Sequence, residues 1–290
     1  MDIEFYKEQL EAKEDMLART TRFLLETQKD LEQKNQEVSE LYKNVLDSIQ
    51  VAQRIQDALL PNIDILKSYF KDAAYYVKQQ SGVGGDSVFV KNNNEGVVFG
   101  ILDSTGHGVP AAMLNISCTL LLRELSSSIE INNPKALFNL LDYQLEKTFN
   151  KDEEHSVAEA EGIILGYSSH DNTLSYCSAK GRGFLILNSG ELIELEKDQK
   201  SIGDASEIMF QNIPLCIDEA KTLLIYSDGL TDQFGGKNDK RFSKNRLKNL
   251  IEKNYEADAQ TLAKILQFEH NAWRNTTQQT DDISFLIIDF

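Results

Sequence analysis

The sequence contains few cysteines, and no two of them form a recognisable pair. Only Cys118, Cys177 and Cys216 occur among its 290 residues. The count is odd and no pair has CxxC spacing, which argues against a disulfide framework and against a thiolate zinc site. All three stand in apolar surroundings, so we expect reduced cysteines in the core.

Basic residues are scarce as well. The chain has 30 Lys and Arg against 46 Asp and Glu, a formal net charge of −16. Nucleic acids and anionic membrane surfaces favour basic proteins, so both are disfavoured as partners.

The longest apolar run, Ala111 to Leu122, contains three polar residues and is too short to insert into a membrane. The acidic start, Met1 to Glu4, does not resemble a signal peptide, and we predict a cytoplasmic protein.

Residues 1–60 contain no glycine and no proline and are rich in good helix formers. An apolar residue recurs every seven positions, and a second series joins it at Leu41, Ser48 and Ile55. This spacing predicts a coiled-coil helix of about 58 residues, roughly 87 Å long. We expect residues 1–60 to form a homodimer. The alternative is a helix that breaks near Thr20-Thr21 or Asn35 and folds back on its own domain. The first series is Leu10, Leu17, Leu24, Leu31, Val38, Val45, Ala52 and Leu59.

Pro61 and Asn62 end this helix, and residues 61–290 predict a separate α+β domain. Strands in antiparallel series and helices in pairs favour stacked sheets flanked by helices over βαβ repeats. The elements that we predict include a strand at 208–213, a polar loop over 151–161, and helices near 110–125, 134–149, 243–254 and 258–274.

Acidic residues follow or precede several predicted strands, beside glycine or small polar residues. They are Asp86, Asp103, Asp228 and the pair Asp281-Asp282. A single aspartate at a strand end is more often a turn residue than a ligand. If these carboxylates converge, cations must offset their repulsion. Oxygen ligands without a Cys or His cluster select Mg²⁺ or Mn²⁺, and a pair of such ions is a general device for hydrolysing phosphate esters.

The motifs resemble those of the SpoIIE/RsbU-type serine phosphatases, the bacterial branch of the metal-dependent PPM phosphatases, similar in fold to protein phosphatase 2C. The resemblance rests on Val-Gly-Gly-Asp, on Asp-x-x-Gly-His-Gly-Val-Pro-Ala-Ala, on Ser-Asp-Gly-Leu-Thr-Asp and on Asp-Asp-Ile-Ser. It extends from about Val51 to Phe290, and the stretch Ser48 to Pro61 resembles the helix that precedes this domain in such proteins. The resemblance implies a four-layer α-β-β-α sandwich of two antiparallel sheets.

The resemblance also implies a site with two Mn²⁺ or Mg²⁺ ions. Asp103 would bridge both ions, with the Ser104 carbonyl as a further ligand, and Asp86 would hold one ion. Asp228 and Asp281 would hold the other, and Asp282 would support the site or act as a ligand. A water that bridges the metals would attack phosphoserine or phosphothreonine on a protein.

The implied partner is a phosphorylated protein of the STAS type, an anti-sigma-factor antagonist. Regulation would act through the N-terminal helix, and an upstream sensor could drive it. His107 has two interpretations: a general acid for the departing serine oxygen, or a structural residue of the Gly-His-Gly turn, which we favour.

Two segments depart from the family pattern near the expected rim of the site. They are Glu159 to Gly162 and Ser178 to Gly181, and they bear on substrate choice more than on catalysis. These departures motivate a rival hypothesis, a catalytically weak PPM-fold scaffold that dimerises and sequesters a signalling partner. The complete set of aspartates argues against the rival, since a scaffold would not need them.

Overall fold

The computed structural model describes residues 2–131, 133–150, 158–204, 206 and 208–290. The helices are α1 (Asp2–Leu59), α2 (Asp64–Lys67), α3 (Gly108–Leu125), α4 (Pro134–Leu145), α5 (Gly229–Asp232), α6 (Lys244–Lys253) and α7 (Ala259–Arg274), and a π-helical turn, Glu146–Asn150, follows α4. The strands are β1 (Asp72–Lys78), β2 (Asp86–Asn92), β3 (Gly96–Ser104), β4 (Ala160–Ser168), β5 (Thr173–Ala179), β6 (Arg182–Leu187), β7 (Leu192–Glu194), β8 (Ile213–Leu215), β9 (Ala220–Tyr226), β10 (Phe234–Gly235), β11 (Lys240–Arg241) and β12 (Ile283–Asp289).

The chain divides into two compact units, Met1–Val51 and Ala52–Phe290. Helix α1 is continuous, so the breaks considered near Thr20-Thr21 and Asn35 do not occur. In the first unit the heptad side chains are exposed, for example Leu24, Val38 and Val45. Over the described residues, no helix is both long and apolar enough to cross a bilayer.

The second unit contains two antiparallel five-stranded sheets. The first sheet has the order β1-β12-β9-β6-β7 and the second has the order β2-β3-β4-β5-β8. Apolar side chains from both sheets, such as Phe99 and Leu223, form the central core. A second core joins the first sheet to α6 and α7, and a third joins the second sheet to α3 and α4. Strands buried on both faces are therefore covered by helices, and the predicted four-layer sandwich is confirmed.

Two expectations about local structure are wrong. The predicted strand 208–213 is absent, because the chain before β8 is a loop in which Ile208 and Met209 are exposed. Cys118 and Cys177 are buried as expected, but Cys216 is exposed just after β8, the short edge strand of its sheet. Most of the predicted polar loop, residues 151–157, lies outside the described residues.

A buried histidine in the second core makes the fold sensitive to acid. His270 is 5% exposed and lies 5.5 Å from the Phe242 ring. Burial lowers its pKa from 6.5 to about 4, and Arg274 and Lys78 add to this effect. The unfolded chain therefore binds more protons between pH 6.5 and 4, so stability is present above pH 6.5 and is lost as the pH falls.

We expect the free energy of unfolding to fall by about 2 kcal/mol between pH 7 and pH 5 from this histidine alone. The substitution His270→Leu should remove that part of the pH dependence in urea titrations at the two pH values. The exposed His170 serves as the control, and His170→Gln should retain the acid sensitivity. An unchanged pH dependence in His270→Leu would contradict the assignment.

Candidate active site

Three acidic residues lie side by side on neighbouring strands of the second sheet. The register pairs Asp86 of β2 with Asp103 of β3, and Asp103 with Glu161 of β4. Residues directly opposite each other in a sheet place their Cβ atoms about 5 Å apart, and like charges at such positions repel. The strand register thus gathers carboxylates that lie far apart in sequence.

The first sheet brings the other predicted acids to the same place. Strands β9 and β12 are paired, with Tyr226 opposite Phe285, so Asp228 after β9 lies near Asp281 before β12. The two sheets are joined here by Ser227, whose hydroxyl donates a hydrogen bond of 2.6 Å to Oδ2 of Asp86. The structure therefore brings the predicted acidic segments together at one end of the sandwich.

The electrostatics of Asp103 report this convergence. Burial raises the pKa of its carboxyl well above the usual range. The negative charges of Asp86, Asp228, Asp281 and Glu161 raise it further. Asp103 is thus the point at which the acids of both sheets interact.

Asp86 is the most deeply buried of these acids, with 1% of its surface exposed. Burial raises its pKa to about 7, Asp282 and Asp281 raise it as well, and the hydrogen bond from Ser227 opposes them. Its Oδ1 atom is buried and has no hydrogen-bond partner among the described residues. A buried carboxylate oxygen without a partner is costly unless a cation or a proton satisfies it.

The residues present fit a divalent cation. The donors are carboxylate oxygens and the carbonyl of Ser104, the hard ligands that Mg²⁺ and Mn²⁺ prefer. Glycine is required beside them, because a Cβ on Gly85 would collide with the Ser104 carbonyl oxygen. A Cβ on Gly84 would collide with the carboxylate of Asp282. Among the described residues, however, no group of three Asp, Glu, His or Cys side chains already has the arrangement of a metal site.

The doubled aspartate has two different environments. Asp282 accepts backbone hydrogen bonds from Gln80 on Oδ1 and from Gly85 on Oδ2, each of 2.6 Å. Both of its oxygens therefore hold the glycine-rich turn before Asp86. Asp281 accepts a hydrogen bond on Oδ1 from the backbone of Asp282, at 2.8 Å. This difference favours Asp281 as the ligand and Asp282 as its support.

His107 lies at the N-terminal end of α3, between Gly106 and Gly108, whose φ angles are 94° and 69°. Its side chain is exposed. Burial raises the pKa of both Asp281 and Asp282, whereas the nearby His107 lowers them. The histidine is thus within electrostatic range of the acids, and its positive-φ neighbours explain the glycines around it.

Sequence reasoning missed two basic residues at the site, Lys180 and Arg182, although it singled out the segment that contains Lys180 as a departure. Arg182 at the start of β6 lies 3.3 Å from Oδ2 of Asp228 and 3.5 Å from Oε2 of Glu161. Lys180 lies 3.6 Å from Oε1 of Glu161. The signal that could have found Lys180 is the replacement of a small-residue turn by a segment with a charged residue, and Arg182 follows that segment directly.

Gln56, in the last turns of α1, also escaped prediction as a site residue. Its side-chain amide donates a 2.8 Å hydrogen bond to the Gly84 carbonyl and accepts a 3.2 Å hydrogen bond from the Gly84 amide. Arg123 of α3 donates to the carbonyl of Leu59 at 2.6 Å and so holds the C-terminal end of the same helix. The end of α1 is therefore bonded directly to the turn that carries Asp86.

Several solved structures that share this fold are phosphatases or PP2C domains. The SiaA-PP2C domain of Pseudomonas aeruginosa has a TM-score of 0.76 and 22% identity, over 86% of this chain and 98% of that chain. The PP2C domain of SpoIIE from Bacillus subtilis has a TM-score of 0.61 and 16% identity, over 75% and 62%. The RsbU and RsbW domains of Rv1364c from Mycobacterium tuberculosis have a TM-score of 0.57 and 18% identity, over 75% and 59%. The fold is thus that of the PP2C-type serine phosphatases.

The family follows from the sequence comparison. Residues 93–290, more than half of the chain, match the SpoIIE family, described as stage II sporulation protein E. The chain therefore belongs to the SpoIIE family, and the resemblance and the enzyme class, a serine/threonine protein phosphatase, are confirmed. No curated protein sequence matches the chain significantly. Phosphatases of this class use divalent metal ions, and RsbX, a further structural neighbour, was solved in complex with magnesium.

Proposed function

We propose that this chain hydrolyses phosphoserine or phosphothreonine on a partner protein with the help of two Mn²⁺ or Mg²⁺ ions. Asp103 would contact both ions, Asp86 and the carbonyl of Ser104 would hold one, and Asp228 and Asp281 would hold the other. When bound, the ions supply Lewis acidity that polarises the phosphate and activates water. The observation that carries the proposal is the buried Oδ1 of Asp86 beside acids from both sheets.

The chain's own residues position this site. Ser227 fixes the orientation of the Asp86 carboxylate by its 2.6 Å hydrogen bond. Asp282 fixes the turn before Asp86 through the hydrogen bonds that it accepts from two backbone amides, those of Gln80 and Gly85. Such supporting contacts orient ligands and commonly change metal affinity or activity by about 10–100-fold when lost. In this proposal His107 has a structural role in its turn.

The test is the release of phosphate from a phosphoserine protein. Wild-type protein with Mn²⁺ should release phosphate, and chelation should abolish release. No release with either ion would contradict the proposal. The phosphorylated partner, for which we propose a STAS-type antagonist, can be trapped with a metal-ligand variant and identified by mass spectrometry.

The rival function is a binding scaffold of low activity. The scaffold function is favoured by the arrangement of the acids. Among the described residues, no three Asp, Glu, His or Cys side chains are already placed so that they could hold a metal ion. It is also favoured by Arg182, which already pairs with Asp228. Calorimetric titration separates the two functions, because a scaffold should not bind Mn²⁺ or Mg²⁺ and a phosphatase should.

We further propose a parallel homodimer through residues 1–60, which an upstream sensor could drive. The support is the exposed heptad series in the first unit, since Leu24, Leu31, Val38, Leu41 and Val45 are all exposed. An exposed apolar stripe on a long helix is stabilised by a second helix. Sedimentation equilibrium of the full chain tests this, and a monomer at micromolar concentration would contradict it.

Regulation through α1 is supported by the contact of Gln56 with Gly84. Gln56 is buried, and its amide satisfies both backbone groups of Gly84, two residues before Asp86. A shift of this part of α1 would therefore displace the turn that carries Asp86. The contact gives the helix a direct mechanical connection to the site.

Gln56→Ala should lower kcat for phosphoserine hydrolysis by about 10–100-fold and weaken Mn²⁺ binding, because the Gly84 turn loses both hydrogen bonds. The matched control is the exposed Gln53, one turn earlier on the helix, and Gln53→Ala should keep wild-type kinetics. Wild-type kcat and Mn²⁺ affinity in Gln56→Ala would contradict the coupling.

A further inference from the structure

Arg182 lies between carboxylates of two sheets without forming a tight pair with either. Its Nη2 atom is 3.3 Å from Asp228 and its Nη1 atom is 3.5 Å from Glu161. Strong charge-assisted pairs of this kind measure about 2.7–2.9 Å. The side chain is 27% exposed, so solutes can reach the guanidinium. Because Arg182 is loosely paired and its guanidinium is accessible to solutes, it can bind an anion that fits its donors more closely than Asp228 or Glu161 does.

Lys180 holds Glu161 from the other side. Its Nζ atom donates a 2.6 Å hydrogen bond to the hydroxyl of Ser201 and lies 3.6 Å from Oε1 of Glu161. Lys180 has a φ angle of 54°, a left-handed conformation that costs energy for a residue with a side chain. Such strain persists where the surroundings require it, and it is frequent at functional sites. Glu161 is thus held between two cations, one at each oxygen.

A basic cleft opens beside Arg182. Its volume is about 130 Å³, and its lining includes Arg182, Lys197 and Lys244. The acid in the lining is Glu194, which is held by Lys244 at 2.8 Å and by Lys248 at 3.3 Å. A cluster of cations next to the acidic site is notable in a chain of net charge −16. These cations attract an anionic group toward the site, whereas the carboxylates of the site alone would repel it.

We propose that Arg182 binds the phosphate group of the phosphoprotein substrate, and that the phosphate displaces Glu161 as the partner of Nη1. This inference rests on the proposed phosphatase function. A planar guanidinium presents paired donors that match two phosphate oxygens, which an ammonium group does not. When Asp228 is engaged elsewhere, the Nη2 hydrogens of Arg182 are free to donate to phosphate.

The experiment measures phosphate binding separately from turnover. Inorganic phosphate is titrated calorimetrically into the Mg²⁺-loaded full chain, and KM and kcat are measured on a phosphoserine peptide. Arg182→Ala should weaken phosphate binding and raise KM by about tenfold or more, because hydrogen bonds to a charged group are lost. Arg182→Lys should recover only part of the loss. The matched control is Arg241→Ala, since Arg241 forms an exposed pair with Asp232 at 3.0 Å.

Glu161→Gln is a second variant, in which Arg182 itself is unchanged. It should tighten phosphate binding severalfold, because it removes a negative charge and frees Nη1. Unchanged phosphate affinity in both variants, with tighter Mg²⁺ binding in Arg182→Ala, would overturn the inference and make Arg182 a counter-ion of Asp228. Failure of the proposed function is distinguishable, because it appears as a wild-type chain that does not hydrolyse the peptide.

Discussion

Replacing Asp103 by asparagine should lower kcat for phosphoserine hydrolysis by about a thousandfold, the upper range for loss of one electrostatic contact in a catalytic centre. Asp103 is the residue whose pKa is raised by burial and by acids from both sheets. An amide of the same shape lacks the negative charge that the two proposed cations would require. Phosphate release with Mn²⁺ measures the effect, and calorimetry should show weaker Mn²⁺ binding in the variant.

The same substitution should leave the metal-free fold at least as stable as wild type. Without metal, the Asp103 carboxylate is repelled by Asp86, Asp228 and Glu161, and asparagine removes this repulsion. Urea unfolding in the presence of a chelator separates the two effects. The exposed Asp171 is the control, and Asp171→Asn should keep wild-type kcat. Equal rates in wild type, Asp103→Asn and Asp228→Asn would exclude the metal assignment.

Residues with a local signature were predictable from the sequence. Asp86, Asp103, Asp228 and Asp281 each stand beside glycine or a small polar residue at the end of an apolar run, and the structure gathers their segments at one end of the sandwich. The long helix was predictable for the same reason, because heptad spacing and the absence of glycine and proline are local properties. The four layers followed from the family resemblance.

Residues that act through distant contacts were not predictable in this way. Glu161 belongs to the acidic row only because the register sets it opposite Asp103. Arg182 faces Asp228 across 46 positions of sequence, and Gln56 contacts Gly84 across 28. Each contact depends on how the sheets and helices pack. A propensity or a motif carries no information about such partners.

The wrong strand at 208–213 has a tertiary cause. Its apolar residues match a strand pattern, but the segment forms a loop whose backbone binds the buried Lys200, which is 5% exposed. The Lys200 ammonium donates to the carbonyls of Ser206 at 2.7 Å and Ile208 at 3.1 Å. In the segment predicted as a strand, the Ile208 carbonyl is thus bonded to a buried lysine and not to a neighbouring strand. We therefore expect the same lysine to stabilise the segment.

Replacing Lys200 by methionine should lower the free energy of unfolding by about 3–5 kcal/mol, which corresponds to a Tm lower by roughly 10 °C. Lys200 forms a 2.7 Å ion pair with Asp142, and the two side chains are 4% and 12% exposed. Removal of the lysine leaves the Asp142 carboxylate buried with no opposing charge, although the amide of Gly203 still donates to it at 2.6 Å. Urea unfolding and calorimetric Tm measure the loss.

Two further variants show that the cost arises from the unpaired charge. The double variant Lys200→Met with Asp142→Asn should recover at least half of the lost stability, because the amide oxygen still accepts from Gly203 and no charge remains buried. Lys244→Met is the matched control, since Lys244 pairs with Glu194 at 2.8 Å but both side chains are nearly half exposed. An exposed pair contributes at most about 1 kcal/mol. Equal losses for Lys200→Met and Lys244→Met, or no recovery in the double variant, would show that the buried pair does not hold this loop.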